Sequence, residues 1–324
     1  ALSALAANLP QDLYKEALSA SLAFQDEFYR ARVLSALAAN LPQDLYKEAL
    51  SATLAFQDES KRADALIALA AKFPEADKEA LSAAQAIQSE SSRAYALIAL
   101  AAKFPEAYKE ALSAALAIEE SYRAYALSAL AANLPQDLYK EALSAALAFQ
   151  GEDSRANALI ALAANLPQDL YKETLSAALA IQYESSRADA LIALAANLPQ
   201  DLYQEALSAA LAFQYESDRV KVLSALVANL PQDLYQEALI ATLAFQNESD
   251  RANALNNLIP QSITFSTKKQ FKIWQEILYQ GLQRKRPKFL SNLAASVPLI
   301  ESLGGKVAGI GIAQSIQQVA KWWR

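Results

Sequence analysis

Apolar residues along the chain follow the 3.6-residue period of an α-helix, in two kinds of stretch that alternate. In one copy of the first stretch the apolar positions are Ala31, Leu34, Leu37, Ala38 and Leu41. The second stretch has a wider apolar arc, made in the same copy by Leu45, Tyr46, Ala49, Leu50, Ala52, Leu54 and Phe56. Because a helix with so wide an apolar arc needs neighbours on two sides, the pattern predicts stacked helical hairpins.

The two stretches form one unit, and the proline between them marks a period of 30–32 residues. These prolines are Pro10, Pro42, Pro74, Pro105, Pro135, Pro167, Pro199 and Pro231. A fixed period of this size is typical of a solenoid. We therefore predict an all-α fold, an αα-hairpin solenoid or superhelix of about eight repeats over residues 1–257.

Polar residues at the ends of the stretches predict where the helices begin and end. Asn40 predicts a left-handed stop of the first helix, and Pro42 predicts the first turn of the second. Serines predict N-caps of the first helices, at Ser60, Ser121, Ser217 and Ser249. Ala1 aligns with Val33 of the next unit, so we expect the sequence to be a fragment that opens inside a helix.

Two repeats depart from the common length. The third and fourth each lack one residue at the start of the second helix, and the fourth lacks another beside Ile118. We expect these slips to change the rotation between neighbouring repeats.

The segment 258–324 does not follow the repeat, and we predict that it is a helical cap for the open end of the solenoid. Helices are predicted over Ser266–Gln283, over Pro287–Leu303 with a break at Pro298, and over Lys306–Trp323 after a stop at Gly304 and Gly305. All three tryptophans, Trp274, Trp322 and Trp323, are predicted to seal the core there.

The balance of charge changes sign at the same place. Residues 1–251 hold 19 Lys and Arg against 33 Asp and Glu, whereas residues 252–324 hold 10 against 2. The tail contains a candidate basic patch, made of Lys268, Lys269, Lys272, Arg284, Lys285, Arg286 and Lys288. Such a run can bind phosphate, complement an acidic neighbour or be a solvated face, and no recognised nucleic-acid motif accompanies it.

The composition argues against catalysis. The chain has no His and no Cys, which removes the commonest general bases, thiol nucleophiles and zinc ligands. Carboxylates and arginines recur in every repeat, as Glu48 and Arg62 do, so we interpret them as a structural ladder in which the arginines bond loop carbonyls or carboxylates. We predict a cytoplasmic protein that is not an enzyme, has no cofactor or metal, and does not enter a membrane, since no apolar run reaches about 18 residues.

Positions that vary within the constant frame are the candidates for binding. Two places after each recurring arginine the residue changes from repeat to repeat, and Tyr122 stands one place before one of these arginines. The candidate partner-binding residues are Arg32, Asp64, Tyr95, Tyr122, Tyr125, Asn157, Asp189, Lys221 and Asn253. These positions form either a groove along the first helices, with the three tyrosines at its centre, or a solvent face on which the tyrosines fill gaps left by the missing residues.

The unit R-A-x-A-L-x-A-L-A-A-x-L-P, followed by E-A-L-S-A-A-L-A-[FI]-[QE] and a tail ending in A-K-W-W-R, resembles the C-terminal αα-repeat arrays of cyanobacterial STAND-type NTPases. The resemblance covers essentially the whole chain and implies the sensor of a signalling protein whose NTPase module lies elsewhere. The units also resemble TPR and HEAT repeats in general, although they are shorter.

We therefore predict a recognition scaffold that binds a protein or peptide partner. A purely architectural or oligomerising spacer is the first alternative. Nucleic-acid binding through the basic tail is the second, and the oligomeric state stays open.

Overall fold

The computed structural model of the protein describes residues 9–73, 77–282 and 286–320. These ranges contain helices and no strand, which confirms the all-α prediction. The chain forms two compact units, Ala1–Pro167 and Gln168–Arg324.

In the first unit the described helices alternate between the first and second helices of successive repeats. The first helices are α2 (Glu27–Ala38), α4 (Glu59–Ala70), α6 (Glu90–Ala101), α8 (Glu120–Ala131) and α10 (Glu152–Ala163). The second helices are α1 (Tyr14–Leu22), α3 (Tyr46–Leu54), α5 (Asp77–Gln85), α7 (Tyr108–Ala117) and α9 (Tyr139–Leu147). Successive first helices pack against one another, so the hairpins stack in chain order.

The second unit continues the same alternation. Its second helices are α11 (Tyr171–Leu179), α13 (Tyr203–Leu211), α15 (Tyr235–Ala244), α17 (Thr267–Leu282) and α19 (Val297–Ala320). Its first helices are α12 (Glu184–Ala195), α14 (Glu216–Val227), α16 (Glu248–Ser262) and α18 (Arg286–Ala295). The helices α12, α14, α16 and α18 pack in that order.

The core consists of the predicted apolar stripes. Ala31, Leu34, Leu37, Ala38 and Leu41 are each at most 2% exposed. The leucines at the positions of Leu34 and Leu37 are buried as well in α4, α6, α8, α10, α12, α14 and α16. The 3.6-residue periodicity therefore predicted correctly which face of each first helix points inward.

The N-caps differ from the prediction. Helix α4 begins at Glu59, and the cap is Asp58, whose carboxylate accepts hydrogen bonds from the backbone N–H of Ser60 and Lys61. Ser60 lies inside the helix, so the prediction that the serines are the caps was wrong. Asp26, Ser89 and Asn247 cap their helices in the same way as Asp58.

The helix ends also differ from the prediction. Among the described residues, none except a glycine has a positive φ, so Asn40 does not form a left-handed stop. In later repeats, the side chains of Asn165 and Asn229 donate hydrogen bonds to the Ala132 and Ala196 carbonyls, 33 residues earlier. Pro42 precedes a short 3-10 turn, and α3 starts only after that turn, at Tyr46.

The recurring arginines bind loop carbonyls, as predicted. Arg62 Nη1 donates a hydrogen bond to the Phe56 carbonyl at 2.8 Å, and Arg187 Nη1 donates to the Ile181 carbonyl at 2.6 Å. The guanidinium of Arg187 also lies 4.9 Å from the centre of the Phe213 ring in the following repeat. Arg30, Arg123 and Arg187 each hold their own loop in this way and cover an aromatic ring of the next repeat.

A glutamate at the start of several first helices braces the loop of the following repeat. The Glu27 carboxylate accepts hydrogen bonds from the backbone N–H of Gln57 at 2.8 Å and of Asp58 at 2.7 Å. We call this interaction the Glu brace. It recurs at Glu59, Glu120, Glu184 and Glu216. The sequence analysis had not predicted it.

The tail continues the hairpin alternation instead of forming a separate layer. Helix α17 packs against α15, and α18 packs against α16, so α16–α19 are placed like two further hairpins. Close packing of α17 on α18 requires Gly281, since a Cβ there would lie 2.6 Å from the Phe289 ring. The predicted domain boundary at residue 258 falls within α16 and stays a prediction.

One of the two predicted breaks within the tail lies at another residue. The first break falls at Ser296, and Pro298 lies in the first turn of α19, where proline fits a helix. The predicted stop at Gly304 and Gly305 is confirmed, since both have non-helical backbone angles that divide α19 into two helical parts at a kink, and Gly305 has φ 66°. Trp322 and Trp323 lie outside the described residues. In the described ranges no single helix is long and apolar enough to span a membrane, although one pair bent by 71° passes by length and composition only.

Candidate partner-binding site

The predicted binding positions lie on the exposed face of the first helices. All eight residues two places after the recurring arginines are exposed, and so is Tyr122. In the first unit these residues are Arg32, Asp64, Tyr95, Tyr122, Tyr125 and Asn157. In the second unit they are Asp189, Lys221 and Asn253.

Three tyrosines form the largest aromatic surface on this face of the first unit. Tyr95 on α6 and Tyr125 on α8 have ring centres 6.3 Å apart, so the pair bridges two repeats. Tyr95, Tyr122 and Tyr125 are 42%, 50% and 66% exposed. Rings this exposed do not fill a gap in the core. We call these three residues the tyrosine cluster.

The tyrosine cluster lies at the junction where the Glu brace is missing. Glu90 holds the position of Glu27, but it is exposed and makes no hydrogen bond to the loop between α7 and α8. That loop is the one shortened beside Ile118. Helices α6 and α8 also form the sparsest packing of neighbouring first helices in this unit. The tyrosine cluster therefore lies at a junction that lacks a contact present between other repeats.

A second feature of the face is a small depression between α2 and α4. It has a volume of about 300 Å³ and is lined by Phe28, Arg32, Lys61 and Asp64, among others. Lys61 Nζ lies 5.5 Å from the centre of the Phe28 ring and 3.6 Å from the Asp64 carboxylate. Sequence reasoning missed Phe28, although an aromatic residue where the other repeats carry Ser or Asp was a usable signal.

The face of the second unit is charged rather than aromatic. Lys221 Nζ donates a hydrogen bond to the Asp218 carboxylate at 2.9 Å. This bond, with the negative charge of Asp218, raises the pKa of Lys221. Asp218 was not among the predicted site residues. It is buried, with 7% of its surface exposed.

The basic patch is only partly covered by the structure. Lys268, Lys269 and Lys272 lie on the first turns of α17. Arg284 and Lys285 lie outside the described residues, and for Arg286 and Lys288 only the helical backbone of α18 is described. Within the described ranges, no group of three or more His, Cys, Asp or Glu is placed to hold a metal ion.

The stacked two-helix repeats define the class of the protein as an α-helical repeat solenoid of the HEAT type. Among solved structures, the chain is similar to the karyopherin Kap121p bound to the SUMO protease Ulp1p, with TM-score 0.61 and 14% identity over 96% of this chain and 39% of that chain. It is also similar to Kap121p bound to Pho4p, with TM-score 0.54 and 12% identity over 98% of this chain and 45% of that chain. For Kap121p bound to RanGTP, the TM-score is 0.53 and the identity 13%, over 93% and 42% of the two chains.

These similarities concern the fold alone, because the sequences share so few residues. The chain spans less than half the length of the karyopherin structures that it matches. No family model and no curated protein matches the sequence.

Proposed function

We propose that the protein is a non-catalytic recognition scaffold that binds a protein or peptide partner along the exposed face of its first helices. One observation carries the proposal, namely that Tyr95 and Tyr125 meet across two repeats while remaining exposed. Tyrosine offers a large apolar ring with a polar tip at low entropic cost, and it is enriched among residues that dominate binding energy.

Two further observations support this proposal. The tyrosine cluster lies at the junction where the Glu brace is missing and where α6 and α8 pack least closely among neighbouring first helices of this unit. Solved structures of similar fold are those of a karyopherin bound to proteins. We also propose that the array is the sensor part of a larger signalling protein, which rests on the sequence resemblance to STAND-type arrays. A cytoplasmic location stays a prediction.

A purely architectural spacer is the alternative. The regular Glu braces and arginine contacts favour it, since they hold successive repeats in fixed register. A spacer needs no exposed aromatic pair, however, so the two functions differ in what the tyrosine cluster does.

The test replaces both bridging tyrosines, as Tyr95→Ala with Tyr125→Ala. Because both rings are exposed, the two substitutions together should lower the free energy of unfolding by less than about 1 kcal/mol. Peptides selected by display against the unaltered protein should bind the variant at least about 1–2 kcal/mol more weakly in calorimetry.

The matched control replaces Tyr183 and Tyr215 by Ala. These residues are 65% and 64% exposed, lie one repeat apart and stand outside the proposed site. Equal loss of affinity in the control, or unchanged affinity in the test variant, would favour the spacer.

A further inference from the structure

Helix α17 has the register of a second helix, although its sequence does not show the repeat. In α15 the buried positions are Tyr235, Ala238 and Thr242. In α17 the residues with the same spacing, Gln270, Ile273 and Ile277, are buried. Gln270 therefore stands where Tyr235 stands in the preceding repeat. Counting back by two and forward by two along the chain places Lys268 at the position of Asp233, in the turn before α15, and Lys272 at the position of Glu237.

This register reveals a reversal of charge at the end of the array. In each preceding repeat of this unit these two positions carry an exposed acidic pair, an aspartate in the turn before the second helix and a glutamate in its first turn. The pairs are Asp169 with Glu173, Asp201 with Glu205, and Asp233 with Glu237. In α17 both members of the pair are exposed lysines. An acidic strip along the second helices thus ends in a basic pair with the same four-residue spacing.

Neither Lys268 nor Lys272 forms an ion pair within the described residues. The acidic residue one helical turn beyond Lys272 is Glu276, whose carboxylate accepts a hydrogen bond from Gln280 Nε2 at 3.0 Å. Where an earlier repeat carries Lys172, α15 carries Gln236, so the neighbouring helix adds no further positive charge to this surface. The preceding acidic residue Glu237 is itself bound, since Gln204 Nε2 lies 3.3 Å from its carboxylate.

The lysines line a depression of about 720 Å³ between α15 and α17. Its other lining residues are Gln236, Ser266, Lys269, Gln275, Glu276 and Tyr279. Lys269 is fixed in place, since its Nζ donates a hydrogen bond to the Gln232 carbonyl at 2.8 Å and lies 4.6 Å from the centre of the Phe265 ring. Tyr279, about two helical turns beyond Lys272, is 61% exposed and adds an aromatic surface to the depression.

We propose that this depression binds an acidic segment of a protein partner, with carboxylates spaced four residues apart on a helix. This spacing matches that of Lys268 and Lys272, so each carboxylate can meet one ammonium group. The site lies on the second helices and is independent of the tyrosine cluster on the first helices.

The neighbouring charges favour a short acidic segment over nucleic acid. Asp233 and Glu237 hold the equivalent positions in the preceding repeat, and the acidic strip continues through the repeats before it. A nucleic acid carries a charge at every nucleotide, so extending it beyond the lysines would bring phosphates against these carboxylates. An acidic segment that ends within the depression avoids this repulsion.

The experiment measures fluorescence anisotropy of a labelled helical peptide of about 15 residues with glutamate pairs four residues apart, at about 50 mM salt. The full chain should bind this peptide, and should not bind the same peptide with glutamine in place of glutamate. Lys268→Gln with Lys272→Gln should weaken binding at least about tenfold, since each lysine contributes one charge-assisted contact. The control, Lys140→Gln with Lys172→Gln, removes two exposed lysines from the repeats and should retain the affinity.

Three results would overturn the proposal. One is no binding of the glutamate peptide by the full chain. Another is equal loss of affinity in the control variant. The third is binding of a labelled oligothymidine of about 20 nucleotides with no binding of the peptide, which would assign the lysines to nucleic acid. Sedimentation of the unaltered chain at the same salt tests whether the acidic strip of a second copy is the ligand, in which case the lysine variant alone should become monomeric.

Discussion

At the scale of single residues, the repeats are joined by polar contacts that run in a fixed direction. Each Glu brace reaches from the start of a first helix to the loop one repeat later, and each arginine reaches back to the loop before its own helix. The backbone N–H of Gly151 and of Gln150 hold the pKa of the Glu120 carboxyl below its usual range. The N–H of Gln57 and of Asp58 lower the pKa of Glu27 in the same way.

Lowering the pH should therefore loosen the braced junctions. A carboxyl whose pKa is lower in the folded state contributes stability above the unfolded value near 4.5, and this stability is lost as the pH falls through the folded pKa. Glu120→Gln should reduce the melting temperature at pH 7 and show a smaller further decrease between pH 5 and pH 3, approximately the acid range of carboxyl groups. Thermal melting followed by circular dichroism checks both.

Glu90→Gln is the matched control for this prediction. Glu90 has the same place in its helix but no loop N–H to bind, so its melting curve should coincide with that of the unaltered protein at every pH. If Glu90→Gln lowers the melting temperature as much as Glu120→Gln does, the loss of a negative charge, and not the loss of the Glu brace, causes the decrease.

At the scale of helices, sequence periodicity predicted the inward faces but not the ends. An apolar stripe depends on many residues at once, so one irregular position does not hide it. A cap depends on which of several adjacent polar residues adopts an extended backbone, and in the stretch Asp58, Glu59, Ser60 that residue is the aspartate. The charge reversal of α17 was hidden for a different reason, since its register becomes visible only from which residues are buried.

The tail is joined to the last repeats by a polar contact that is buried. Arg251 is completely buried, and its Nε donates a hydrogen bond to Asn292 Oδ1 on α18 at 2.7 Å. The arginines at this position in the other described repeats are half-buried. Helix α18 thus covers a charged group that is elsewhere in contact with solvent.

Asn292→Ala should destabilise the protein by about 1.5–3 kcal/mol, because it removes a hydrogen bond to a buried charged group. Asn257→Ala is the control, since its side chain also makes a hydrogen bond, to Ser224 Oγ at 2.7 Å, but is exposed. Its cost should stay within about 0.5 kcal/mol. Urea unfolding measures both, and equal costs would mean that α18 does not seal this part of the array.

At the scale of the whole molecule, α17–α19 are placed to close the stack. Deleting residues 268–324 should expose the apolar side of α16, including Leu255 and Ile259, and should cause aggregation or a loss of cooperative melting. Size-exclusion chromatography and calorimetry detect these changes.

A shorter deletion, of residues 306–324, tests the specificity of this effect. The described part of that segment is largely exposed, with Val307 at 81% and Ile310 at 58%, so a cooperative transition should remain. If the longer deletion also leaves a monomer with unchanged melting, the tail is an appended module.

The candidate site could be predicted from the sequence only in part. Positions that vary within a constant frame predicted which side chains would be exposed, and the tyrosine cluster is among them. The junction without a Glu brace could not be predicted, because the brace itself is not visible in the sequence. The residue missing beside Ile118 indicates a lost contact only once the acceptors of the loop N–H groups are known. Binding at the tyrosine cluster stays a prediction.

The Glu brace also determines how such an array can change length in evolution. Each bracing carboxylate and the loop that it binds lie about one repeat apart. Unequal recombination that adds or removes whole repeats therefore leaves each new loop with a carboxylate to accept its N–H hydrogen bonds. Loss of the residue beside Ile118 coincides with a missing brace at Glu90, whereas the residue missing from the third repeat leaves the Glu59 brace intact. A change in length therefore disturbs a junction where it falls in the loop that the carboxylate binds.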